Sequence, residues 1–277
     1  MRLENRVVFI SGASRGIGRA CALACAREGA QVVVAARTEV ADNPRLPGSI
    51  HDVVREVEAL GANALALRLD VRDDRACQAA IEKTIACFGR IDALVNNAGA
   101  LWRADVVETS VKKFDHILGV NVRAAFVLAH AALPYMIKQR YGHIVMMSPP
   151  AEPSGCAHHG AYAVSKFGMT MIAEAIAEEM REHNVTAHAL WPATAIESFS
   201  TKSFSLGGPE SWRKPDILAD AVLALIAREP GARMGQAWID EAVLREDGVT
   251  DFEKYQCAPG HEPPRFPFSV TPKATST

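Results

Sequence analysis

A chain of 277 residues, 49% of them hydrophobic, is long enough to bury a large core, either as one big α/β domain or as two small ones. Its net charge of −2 and pI near 6.5 leave no basic surplus for holding nucleic acid or an anionic membrane. Its longest apolar runs, such as 20–26 and 221–227, are far too short to span a bilayer.

The first residues, Met1 to Arg6, run straight into a strand pattern without the apolar stretch of a signal peptide. Val7–Ser11 is a short β-rich apolar run, the pattern of a strand buried on both faces. The glycine-rich Gly12-Ala-Ser14-Arg15-Gly16-Ile17-Gly18 follows at once, then a helix from Arg19 to about Glu28 and a second strand, Gln31–Ala35. Such a βαβ crossover is almost always right-handed. Thr38–Gly48 holds two prolines and no periodicity and reads as an inserted loop.

Further along, helices are predicted over Ile50–Leu60, Asp74–Cys87, Phe114–Lys138 (interrupted near Asn121), Tyr162–Glu182 and Asp216–Arg228. Strands are predicted over Ala64–Leu69, Ala93–Asn96, His143–Met147, Val185–Trp191 and Gln236–Ile239. Thr194–Arg213 is rich in Ser, Gly and Phe and lacks a strong period. Beyond Asp247 prolines and glycines multiply, and Thr271–Thr277 has a disordered composition. Strand and helix alternate with no linker-like break and no internal repeat. One doubly wound α/β domain is therefore expected over about residues 1–260, with a mostly parallel sheet of about seven strands flanked by helices. Residues 261–277 are expected to be a partly disordered tail.

The six cysteines show no CxxC pair and no metal spacing, so a reduced, cytoplasmic setting without a metal is the expectation. The glycine loop suits a dinucleotide, because glycines let the backbone approach a pyrophosphate and the helix N-terminus supplies N–H groups and partial positive charge. The second strand ends Ala35-Ala36-Arg37-Thr38, without the carboxylate that usually meets the ribose 2′-hydroxyl of NAD. Arg37 and Arg15 could instead hold a 2′-phosphate, which favours NADP(H); the other reading is two solvated arginines. Asn96-Asn97-Ala98-Gly99 ends the fourth strand at the carboxyl edge where ligands sit, although adjacent amides also suit a plain turn. Asp70-Val71 ends the third strand in the same way, and Asp70 could cap a helix or contact adenine.

Tyr162 and Lys166 stand four residues apart, so on a helix both project from one face. A phenol ordinarily has a pKa of roughly 10, and a nearby ammonium favours phenolate and draws that value toward neutrality. The pair is a compact general acid/base, or else an ordinary helix face.

Taken together, SGASRGIG at Ser11–Gly18, LDV at Leu69–Val71, NNAG at Asn96–Gly99, VNV around Asn121 and Tyr162-x-x-x-Lys166 resemble the short-chain dehydrogenase/reductases in order and spacing, over about residues 5–240. The resemblance implies a Rossmann-type fold, hydride transfer with a nicotinamide, and a homodimer or homotetramer. It makes Tyr162 the general acid/base, with Lys166 lowering its pKa and bonding the nicotinamide ribose. Asn121 would hold a relay water, Asn97, Ala98 and Gly99 would line the adenosine and ribose region, and Asp70 and Val71 would meet adenine.

Two departures stand out. The family's catalytic serine position is Pro149 here, with Ser148 one residue out of register and Ser154 a weaker substitute. Trp191-Pro192-Ala193-Thr194-Ala195-Ile196 replaces the common Pro-Gly, with Pro192 and the backbone near Ala195 still expected at the carboxamide. Alanine there costs little unless φ is positive. Ser148-Pro149-Pro150, the insertion after Arg37, WPATAI and the segment from Ile239 to His261 resemble the hydroxysteroid-dehydrogenase-like branch. Longer members of that branch carry a sterol-carrier domain, for which the chain after residue 260 is too short. His158 and His159 precede Tyr162 by a turn and read as surface-loop residues.

The expected function is an NADP(H)-dependent oxidoreductase interconverting an alcohol and its carbonyl, on a small and lipophilic substrate. Apolar Phe204, Leu206 and Trp212, in a lid near 194–213, suit such a substrate. The alternatives are the same chemistry with NAD(H), or a cofactor-binding regulator or scaffold with little turnover, motivated by the displaced serine.

Overall fold

The computed structural model describes residues 1–43, 46–149, 156–232 and 237–266. In chain order the elements begin β1 (Val7–Ser11), α1 (Gly16–Arg27), β2 (Gln31–Ala36), α2 (Ile50–Ala59), β3 (Ala64–Arg68), α3 (Asp74–Phe88) and β4 (Ala93–Asn96). They continue with α4 (Val111–Leu118), α5 (Ala124–Gln139), β5 (Gly142–Met147), α6 (Gly160–Glu179) and β6 (Val185–Trp191). The last group is β7 (Ala195–Ile196), α7 (Phe199–Ser203), β8 (Trp212–Arg213), α8 (Asp216–Ile226), β9 (Ala237–Ile239) and α9 (Asp240–Glu246).

A seven-stranded parallel sheet in the order β3-β2-β1-β4-β5-β6-β9 forms the middle layer. Alternation along β1 shows why its apolar run has no polar face. Val8 and Ile10 join a core layer with α1, α2, α8 and α9, while Val7 and Phe9 join the layer with α3, α5 and α6. Strand order reverses between β1 and β4, so the loops leaving these two strands splay apart and open a crevice at their carboxyl ends. The fold is a single Rossmann-type domain.

The predicted interruption near Asn121 is a π-helical turn, Gly119–Arg123, between α4 and α5. The continuous run Val111–Gln139 is long and apolar enough to cross a membrane by length and composition, which the separate apolar runs of the sequence did not suggest. Here it is a core helix, with Ala124, Leu128, Ala132 and Met136 buried against the sheet.

The stretch without a period in sequence contains β7, α7 and β8. Beyond α9, Phe252 and Tyr255 enter the core, and the Tyr255 hydroxyl donates to Asp220 at 2.6 Å. Residues 256–266 then return to the carboxyl edge, where Arg265 bridges Thr194 and Phe266 N–H donates to Ala193 at 2.9 Å. The expectations for Thr271–Thr277 and Ser154 fall outside the described residues.

Candidate active site

The loop after β1 is shaped by what its glycines must avoid. Gly12 has φ of +68°, and a Cβ there would come within 2.8 Å of Ala98 Cα. A Cβ on Gly18 would lie 2.5 Å from the Gly12 carbonyl oxygen. At Gly16 (φ +55°) the same added atom would meet nothing within 4 Å, so this rim of the loop is open. Arg15 is the N-cap of α1 without a side-chain cap, and the first turn carries no acidic residue. Uncapped N–H groups and the dipole of α1, with Ile17 in its first turn lining the crevice, fit a pyrophosphate. Ser14 is buried beneath this loop.

Asn97 braces the loop through its side chain. Its Nδ2 donates to the carbonyls of Ser11 at 2.9 Å and Gly12 at 3.1 Å, and the backbone N–H groups of Asn97 and Ala98 donate to Ser11 Oγ. Its amide is thus a tie between the two strand ends, and both Asn97 and Gly99 line the crevice.

Past β2, the Arg15 guanidinium donates to the carbonyls of Leu46, Pro47 and Gly48 and to Thr38 Oγ1. Its first employment is to hold the inserted loop. Burial, with help from the neighbouring Arg37 charge, lowers its pKa. Arg37 is exposed at the end of β2 and makes no hydrogen bond or ion pair among the described residues. Asp70 is bound by Arg72, Nε to Oδ1 at 3.0 Å and Nη2 to Oδ2 at 2.5 Å, which brings its pKa down to about 2. Val71 is buried, and its carbonyl accepts from Cys77 Sγ.

The helix α6 carries the Tyr162 and Lys166 pair. Tyr162 and Lys166 project from one face, with Lys166 Nζ 5.8 Å from the phenol ring centroid. Lys166 is buried and donates to the Met147 carbonyl at 2.7 Å. Burial lowers its pKa to about 8, and burial also raises that of Tyr162. In the free protein desolvation therefore outweighs the pull of the ammonium, and the phenol keeps its proton, opposite to the direction expected from sequence.

Asn121, buried in the π-turn, spends its side chain on bracing. Its Oδ1 accepts from Ala100 N–H at 2.8 Å, and Nδ2 donates to the Ala100 carbonyl and to Ser165 Oγ at 2.8 Å. These three bonds use both Nδ2 hydrogens and one of the two Oδ1 lone pairs, so a relay water here would meet the other lone pair or the backbone. Ser148 is 1% exposed, and its Oγ lies 3.1 Å from Thr170 Oγ1.

Ile17, Asn97, Gly99, Ser148, Tyr162 and Lys166 converge on a cavity of about 750 Å³, whereas Arg15, Arg37, Asp70, Val71 and Asn121 stand outside its lining; Pro192, Ala195, Leu206 and Phe266 complete the wall. Ala193 is absent from the positive-φ residues, so alanine fits where glycine is common. Trp212 supports the lid by donating Nε1–H to the Leu206 carbonyl at 2.7 Å. His159 lines the cavity, correcting its assignment to the surface, whereas His158 is exposed and pairs with Asp105.

Sequence reasoning missed three contributors. Thr170 extends Tyr162 and Lys166 to an i, i+4, i+8 stripe, a signal available in the sequence. Asp240 anchors the Pro192 loop by accepting Ala193 N–H at 2.9 Å, and burial pushes its pKa up to about 7. Arg265 reaches the cavity only through the return of the chain and has no local signal.

The short chain dehydrogenase family model matches residues 6–205. The chain belongs to this family. Hydroxysteroid dehydrogenase-like protein 2 of Xenopus laevis is 41% identical over 94% of the chain, which spans 62% of that relative's length. This short-chain dehydrogenase thus falls in the hydroxysteroid-dehydrogenase-like branch. A short chain dehydrogenase of Mycobacterium thermoresistibile is similar at a TM-score of 0.87 and 36% identity, covering 95% of each chain. A metagenomic short-chain oxidoreductase in complex with NADP is similar at a TM-score of 0.72 and 31% identity, covering 86% of this chain and 97% of that one.

Proposed function

We propose that this short-chain dehydrogenase is an NADP(H)-dependent oxidoreductase that reduces a lipophilic carbonyl to its alcohol. The observation that carries the reading is the Tyr162–Lys166 pair on one face of α6, opening into an apolar-walled cavity beside the glycine loop. When bound, the nicotinamide supplies the hydride for the carbonyl carbon. The protein's own part is to hold the carbonyl oxygen and deliver a proton to it.

The Tyr162 hydroxyl gives that proton: a phenol is protonated at neutral pH, and burial raises its pKa further. Lys166, still an ammonium below pH 8, would hold a ribose hydroxyl of the cofactor and stabilises the phenolate left behind. The Ser148 hydroxyl donates to the carbonyl oxygen as negative charge builds there.

Arg37 supports NADP(H), because among the described residues its guanidinium makes no hydrogen bond or ion pair at the β2 terminus, and Asp70, whose carboxylate feels its charge, is already held by Arg72. The protein is also proposed to work as a homodimer or homotetramer.

The test is NADPH oxidation against medium-chain, terpenoid and steroid carbonyls. Tyr162→Phe should reduce the rate by about 10²–10⁴-fold. Arg37→Asp should weaken NADPH binding and spare NADH. Tight NADPH binding without turnover in either direction would move the assignment to a cofactor-binding regulator, and an Arg37→Asp variant with full NADPH affinity would move it to NAD(H).

A further inference from the structure

The Tyr162–Lys166 stripe continues one turn further to Thr170, which is 3% exposed. Thr170 Oγ1 accepts Trp191 Nε1–H at 3.2 Å and lies 3.1 Å from Ser148 Oγ, both contacts being buried. These two distances leave the direction of the second hydrogen bond open, and counting hydrogens decides it. An indole N–H only donates, so it takes up one lone pair of Thr170 and offers nothing in return. A hydroxyl carries one hydrogen of its own, and among the described residues the one acceptor bonded to Thr170 Oγ1 is Ser148 Oγ.

If Ser148 donated to Thr170, the Thr170 hydrogen would be buried without an acceptor, incurring its full desolvation penalty. If Thr170 donates to Ser148, the Trp191 indole hydrogen and the Thr170 hydroxyl hydrogen both have acceptors. The order is then Trp191 to Thr170 to Ser148, and it leaves the Ser148 hydrogen over. Ser148 lines the cavity, so that hydrogen has a place to go. Each donation also polarises the next hydroxyl and makes it a better donor.

We propose that Thr170 and Trp191 are positioning residues that present the Ser148 hydroxyl to the cavity as a hydrogen-bond donor, and so adapt the site to a substrate with a carbonyl oxygen. The proposal rests on the reading of Ser148 given above. It explains how a serine displaced by one position can serve. Pro149 fixes the backbone after it and carries no side-chain donor, while the turn of the hydroxyl is set from behind by α6 and the end of β6. Trp191 takes part through its indole, so its place before Pro192 links the serine to the same loop that Asp240 anchors.

The experiment is a double-mutant cycle on the best carbonyl of the panel, with NADPH affinity and thermal stability measured for each variant. Ser148→Ala should lower kcat by on the order of 10²-fold. Thr170→Val, close in shape but without the hydroxyl, should lower kcat by about tenfold at unchanged NADPH affinity. Thr170→Ser should recover most of the rate. In the Ser148→Ala background, Thr170→Val should cause no further loss. Losses that multiply, or a Thr170→Val enzyme within twofold of wild type, would overturn the proposal. A silent Ser148→Ala would overturn it as well, and would remove Ser148 from the mechanism while Tyr162→Phe still tests the enzyme assignment. Neutron diffraction of the NADP⁺ complex reads the order of donation directly and needs no turnover. Deuterium on Thr170 Oγ1 directed at Ser148 is expected, and deuterium on Ser148 directed at Thr170 would refute the order.

Discussion

Lys166 is buried, with its ammonium on the Met147 carbonyl and its pKa brought from 10.5 to about 8 by desolvation. Folding thus opposes the charged form that the proposed mechanism uses. A shift of that size corresponds to on the order of 3 kcal/mol of destabilisation. The sign follows from proton counts: between pH 8 and 10.5 the unfolded chain binds more protons than the native one, so this group's contribution to stability rises with pH across that window. The penalty is fully present below pH 8 and released by about 10.5. Lys166→Met should therefore be more stable than wild type at pH 7 in chemical denaturation, with the gap narrowing toward pH 10. A gap that stays constant from pH 7 to 10 would mean that Lys166 is not held at a depressed pKa. The variant should be inactive, since a thioether neither charges nor meets the ribose. Stability and activity are thus opposed at one side chain, as is common where a site demands a buried charge.

At the scale of elements, α9 opens with two buried carboxylates, Asp240 and Glu241. Glu241 faces the guanidinium of Arg213 at 2.8 Å, and both are almost fully buried. The bond is not well aligned, because Glu241 Oε1 and Arg213 Nε each lack a hydrogen-bond partner, so the attraction is chiefly Coulombic. Arg213 also reaches Glu262 at 2.5 Å, and Arg265 contacts Glu241. One carboxylate therefore ties β8 of the lid and the returning 256–266 segment to α9. Removing Glu241 leaves buried Arg213 with only the exposed Glu262 as a carboxylate partner among the described residues, so Glu241→Ala should cost on the order of 3 kcal/mol and lower the melting temperature by roughly 6 °C. Glu262→Ala, at an exposed residue, should cost far less; equal losses would contradict the ordering. This hub is also where sequence legibility ends. Val7–Ser11, the glycine loop and Tyr162–Lys166 were readable because burial on two faces, φ above zero and helical spacing are local properties. The two-residue strands β7 and β8 carry no period, and 213, 241, 262 and 265 meet only in three dimensions. The Asn97 and Asn121 amides were noticed as motifs, but their bracing bonds depend on where β1 and α6 end up.

Across the whole molecule, α6 has two contrasting faces. The inner stripe of Tyr162, Lys166 and Thr170 serves the cavity, and the outer one presents Val164, Phe167 and Met171, each about half exposed. Phe126 of α5 is likewise 54% exposed. Four large apolar side chains on neighbouring helices form a surface that water disfavours, and a second copy can cover it by symmetry. The helix also approaches the π-turn closely, since a Cβ on Gly168 would lie 2.8 Å from Val122 Cγ2. Sedimentation should place the wild-type protein at a multiple of the 29.9 kDa chain mass. Phe167→Asp should bring it to the single-chain mass, because a carboxylate at the centre of the patch would have to be desolvated on association. A wild-type protein that stays monomeric at tens of micromolar would leave the face unexplained by self-association. NADPH binding should survive in the monomer, since the glycine loop that would hold its pyrophosphate is built from the end of β1 and the start of α1. Turnover should fall, because the inner stripe relies on a helix whose outer face is then bare.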